Sequence, residues 1–214
     1  MKRLTKRVKT MAGLAAAALL AASLGAAACG EASAAGMDGM TMNRFGGPVY
    51  MGAPALNVTA AFVAAGGGAD HFSTAAALTS MVGASTVKAE VGKLTRQYGK
   101  SKVDQWLTTF DFAVDDSLAI ATKDGVSLPM PDPSLSGATL AKTLVDAGLS
   151  RHTFYTGLML DKAVSHAIHV QVMKDIDAKY GPDADTRYHA ITNQAMCDVA
   201  HALGDKKVKL AKLH

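Results

Sequence analysis

The sequence predicts an all-α fold, a helical bundle, because from Pro54 onward apolar residues recur at helical spacing and not in alternation. Glycines punctuate that region where helices of ordinary length should stop, and no long β-branched run keeps a period of two. No internal repeat is present. A leader and a tether precede the helical region.

Residues 1 to 28 have the composition of an export signal. Five basic residues between Lys2 and Lys9 precede an apolar Ala/Leu run, too short to span a bilayer comfortably, that ends in Ala26-Ala27-Ala28-Cys29. Two processing routes fit. The small residues and Gly30 suit lipoprotein-type cleavage with acylation of Cys29, whose two or three acyl chains would hold the protein firmly to a membrane face. Ala32-Ser33-Ala34 suits cleavage into a soluble exported product, and Ala26 stands where bacterial lipoprotein signals usually carry Leu. Either route places the mature protein in the cell envelope.

The leader holds five of the 22 Lys/Arg and none of the 18 acids, so the remaining 17 basic groups leave the mature chain at a formal charge of −1. No basic patch remains to recruit nucleic acid, which is excluded as a partner. With Cys29 lipidated only Cys197 is left, so no disulfide framework is available. The roughly 180 mature residues suffice for one core that buries about 70% of the unfolded surface.

Residues 29–53, rich in Gly, Ala and Met, read as a flexible tether. Within it Met37, Met40 and Met42 bring together thioethers, soft ligands that suit Cu(I), although a linker that merely contains methionine has the same composition. A single domain over 54–205 follows, then a basic and apolar tail over 206–214 expected to lie along the surface.

In the domain, a short helix over 56–65 is closed by Gly66-Gly67-Gly68. Asp70 caps a second that runs to Val82 and Gly83, and Ser85 caps a third that ends at Tyr98 and Gly99. Ser101 with Asp104 begins a fourth, on which Val103, Trp106, Leu107, Phe110, Val114, Ser117 and Ala121 share one face. Asp111, Asp115 and Asp116 flank that face and are expected to be solvated. Pro129, Pro131 and Pro133 make 127–137 a stiff crossover. Helices over about 139–147, 153–180 and 184–203 complete the domain, stopped by Gly148, Gly181-Pro182 and Gly204.

The chemistry concentrates on the helix over 153–180. Phe154, Leu158, Ile168, Val172 and Ile176 fall on one face, Asp161 and Ser165 land inside it, and His169 continues its edge. A carboxylate on the core side has to be paired, hydrogen-bonded or metal-bound, because leaving it bare costs several kcal/mol. His166 and His169, three residues apart, bring two imidazoles to one side of the helix, where with Asp161 they can chelate copper or zinc. The Glu-x-x-His pairs of di-iron bundles and the His-Glu-x-x-His zinc-protease signature are absent. So are a nucleophile elbow, a phosphate loop and a Cys-x-x-Cys-His haem attachment. Cys197 falls opposite the Tyr188/Ile191/Ala195/Val199 face.

The run Phe112-Ala113-Val114-Asp115-Asp116-Ser117-Leu118, continued by Gly125-Val126-Ser127-Leu128-Pro129, resembles the end of the first helical pair in an uncharacterised family of exported bacterial proteins with a ferritin-like four-helix fold. Leu160-Asp161-Lys162-Ala163 is similar to the start of that family's second half, with His169 near its later histidine. The resemblance spans residues 58–203 and implies up-down packing. Where the family has Asp-His this chain has Asp115-Asp116, and the family's early glutamate is missing from the first helix.

The expectation is therefore an exported or envelope-anchored binding or accessory module, not an enzyme, that handles a transition metal. Two other classes share the same sequence features: a bundle enzyme or redox carrier with a metal or non-covalent haem, and a purely structural envelope protein.

Overall fold

The computed structural model describes residues 53–164 and 166–211, and among them the chain is an all-α bundle of eight helices with one minor three-stranded sheet. Helix α1 (Ala53–Ala65) stops at the glycine run, where the Phe72 ring lies 2.2 Å from where a Gly66 Cβ would stand. Helix α2 (Thr74–Val82) is capped by Ser73, whose Oγ accepts from the Ala76 N–H at 3.3 Å, and not by Asp70. Helices α3 (Ala84–Tyr98) and α4 (Lys100–Lys123) each follow a single glycine with no side-chain cap, so Ser85 and Ser101 lie inside the first turn. Gly83 and Gly99 adopt φ of 85° and 89°, which lets each glycine end one helix and begin the next without a loop.

Helix α5 (Gly137–Gly148) leads into a hairpin of β1 (Leu149–Ser150) and β2 (Thr153–Phe154), after which α6 (Thr156–Val164), α7 (His166–Tyr180) and α8 (Ala184–Ala202) follow. The single helix expected over 153–180 is thus two helices preceded by a strand. Because α6 and α7 are separate, the apolar stripe does not run in phase through both: Ile168, Val172 and Ile176 are buried as expected on α7, whereas on α6 Met159 is buried and Leu158 only half-buried. Strand β3 (Lys209–Leu210) lies parallel to β2. The tail does run along the surface there, but Val208 and Ala211 on either side of the strand are buried and hold it down.

Helix α8 is the centre of the bundle. It touches α3, α4, α5, α6 and α7, and every residue from Ile191 to Cys197 is buried, more than one face of a helix can supply. The Trp106 indole N–H donates to Thr192 Oγ1 at 2.9 Å, satisfying both polar groups inside the core. Cys197 is buried too, contrary to its expected place off the apolar face, because the chain before β3 covers that side and brings the Val208 carbonyl to 3.5 Å from Sγ. Among the described residues no helix is long and apolar enough to cross a membrane.

Candidate metal centre

The N-terminus of α6 is fixed from across the fold. Asn193 Oδ1, on α8, accepts from the Thr156 N–H at 2.7 Å and from the Thr156 hydroxyl, taking the place of a local cap. One turn before Asn193 on the same side of α8 is His189. The first turn of α6 is thereby held against the part of α8 that carries an imidazole. Along α7, the burial of Ile168, Val172 and Ile176 sets the rotation of the helix. That rotation turns His169 inward, with 11% of its side chain exposed, and leaves His166 at the rim with 47% exposed.

Asp161, on α6, joins the two histidines. His169 Nδ1 is 2.5 Å from Asp161 Oδ1, and His166 Nδ1 is 3.2 Å from Oδ2. An ionised carboxylate only accepts, so each Nδ1 carries a proton directed at Asp161. Burial works against the charge on Asp161, but the hydrogen bonds and charges of His169 and His166 outweigh it and hold the carboxyl below its ordinary value. Asp161 is 40% exposed, more open than its place inside the apolar face predicted, because α6 does not continue the α7 stripe. One ligand atom from each of Asp161, His166 and His169 lies within 4.8 Å of the others, so the three residues singled out by spacing do converge.

His189 extends the cluster inward. Its ring centroid is 5.8 Å from that of His169 at 87°, and His169 in turn lies 6.4 Å from His166 at 87°. Burial first, and then the neighbouring His169, push the His189 imidazole down to about 4, with Asp161 opposing, so it is neutral at physiological pH. His169 Nε2 and His189 Nε2 are both buried and have no hydrogen-bond partner among the described residues. An unsatisfied buried polar atom costs on the order of 1–3 kcal/mol, so two on facing rings call for an explanation. No signal local to the sequence pointed to His189, apart from its lying one turn from a polar Asn193 in a helix that is apolar on most sides.

Three further polar clusters were also missed. Asp111 is not simply solvated: its carboxylate accepts from the Thr74 N–H and hydroxyl, both at 2.6 Å, at the start of α2. Asp116 is pushed up to about 6 by burial and by Asp175 across the α4–α7 contact, and one of its oxygens is buried without a partner among the described residues. On the opposite side of α8, Asp198 accepts from Lys93 Nζ at 2.5 Å and Gln194 Nε2 at 2.8 Å. Burial, then the hydrogen bond and charge of Asp198, push the neighbouring Glu90 carboxyl up to about 8, against the pull of Lys93.

Glu90 has a consequence for stability. Folding raises its value from 4.5 to about 8, so the folded protein holds this proton more tightly than the unfolded chain. The contribution is fully present below pH 4.5 and is lost as pH rises through about 8. Urea unfolding at a series of pH values should show this fall, and Glu90→Gln should flatten it. A variant as pH-dependent as the parent would place the titration elsewhere.

No protein-family profile, curated protein or solved structure matches the chain. Cys29 and the Met37, Met40 and Met42 cluster lie outside the described residues.

Proposed function

We propose that this is an exported, envelope-anchored helical protein that acts as a binding module for a transition ion, zinc or copper, at Asp161, His166 and His169. The observation that carries the reading is the convergence of one carboxylate and two imidazoles within 4.8 Å, at the junction of two helices and at the edge of the core. Zinc bonds of about 2.0 Å in a tetrahedron put neighbouring ligand atoms about 3.3 Å apart. The 3.2 Å between His166 Nδ1 and Asp161 Oδ2 already has that spacing, and the 2.5 Å between His169 Nδ1 and the other carboxylate oxygen has to open by about 0.8 Å. The Nδ1 protons leave as the ion enters, so affinity falls as pH drops. The half-exposed His166 and Asp161 give an ion access from solvent. The leader composition and Cys29 support placement in the envelope.

Calorimetric titration of the mature protein with Zn(II) and Cu(II), repeated on His166→Ala/His169→Ala, tests the reading. One ion per chain is expected, with affinity lowered at least 100-fold by the double substitution, on the scale expected when metal ligands are lost. Equal affinity in the two proteins would remove the cluster as a metal site.

A further inference from the structure

We propose a second, interior ion position between His169 Nε2 and His189 Nε2, suited to Cu(I), to which the exposed Asp161/His166 cluster is the outer station. The inference rests on the reading that His169 belongs to a metal site, and goes beyond it in adding a ligand from α8. Four observations converge on it. Asp161 holds the His169 Nδ1–H at 2.5 Å, which in the neutral ring leaves Nε2 as the ligand atom, the arrangement of a carboxylate that orients a metal-bound histidine from behind. That Nε2 is buried and unpartnered, and so is His189 Nε2. Two imidazoles that share an ion through their nitrogens have centroids about 5 to 6 Å apart, and these stand 5.8 Å apart. Gly157 of α6 faces the Cε1 edge of His169, which lies 3.7 Å from where a Gly157 Cβ would stand, so α6 approaches the ring closely on that edge.

The chemistry of the interior position differs from that of the rim. It offers imidazole nitrogens with no carboxylate in direct contact, and a monovalent ion of low coordination number loses least by entering such surroundings. The single negative charge of Asp161, behind His169, balances a single positive one. His169 presents Nδ1 to the rim and Nε2 to the interior, so one ring borders both positions.

The test is 15N NMR of the mature protein labelled at histidine, titrated anaerobically with Cu(I) and separately with Zn(II). One equivalent of Cu(I) should move the Nε2 resonances of both His169 and His189 from free lone-pair values to ligated ones. His189→Leu should weaken Cu(I) binding at least about tenfold in competition with a Cu(I) chelator, while Zn(II) affinity at the rim is unchanged. If His189 Nε2 stays at its free value while His166 and His169 shift, the interior position is wrong and the rim site stands. If no histidine shifts with either ion, the underlying metal reading is lost as well. Because the NMR experiment uses the unaltered protein, it decides the matter even if the variant does not fold.

Discussion

His169→Ala is expected to lower zinc affinity by about 100-fold or more, a larger loss than His166→Ala produces. His169 is the one residue of the cluster in contact with both its exposed and its buried sides: it bonds Asp161 through Nδ1 and faces His189 across 5.8 Å. Its side chain is 11% exposed against 47% for His166, so a ligand bond to it is less open to replacement by water. Competition with a chromophoric zinc chelator measures both variants. The reverse order, with His166 dominant, would put the ion at the rim without help from the buried ring.

Phe154→Ala should destabilise the fold by about 3–5 kcal/mol, as large-to-small changes at fully buried aromatic positions do. Phe154 is 0% exposed, and its Cε2 comes within 2.2 Å of where a Cβ on Gly148 would stand, so the ring occupies the space that a glycine at the end of α5 leaves open. It belongs to β2, the central strand of the small sheet, two residues before the Thr156 that Asn193 holds in place. Urea unfolding monitored by far-UV circular dichroism gives the difference. A loss under 1 kcal/mol would mean that the cavity collapses around the missing ring. The same substitution should weaken metal binding only to the extent that α6 loosens, which separates it from His169→Ala.

Much of this was legible in the chain because helices carry their period locally. The buried Val103, Trp106, Phe110, Val114, Ser117 and Ala121 of α4 and the α7 stripe of Ile168, Val172 and Ile176 follow from spacing alone, as does the pairing of His166 with His169, whereas Leu107 is only half-buried and Thr109, Ala113 and Leu118 are buried beyond the expected face. Asp161 does meet the two histidines, but from an exposed position on a separate helix and not from inside the buried stripe where a single helix over 153–180 put it. The helix starts were less legible. Ser85 and Ser101 are good caps by residue type, but Gly83 and Gly99 sit two positions earlier and can turn the chain directly from one helix into the next. The two-residue strands hold too little pattern to be read, and β2 meets β3 only because residues more than fifty apart are brought together. His189 was invisible for the same reason: nothing near it in the sequence says that α8 will lie against α7 with that ring facing His169. Burial of Cys197 likewise depends on the segment ending at β3, not on its own helix wheel.

The central claim, a transition-metal site on Asp161, His166 and His169, is tested most directly by crystals of the mature protein grown with one equivalent of Zn(II) and measured on both sides of the zinc absorption edge. The account predicts one anomalous peak per chain within bonding distance of a His169 nitrogen, with Asp161 or a second imidazole beside it. Peaks confined to exposed histidines such as His71 and His152, with none at His169, would contradict it.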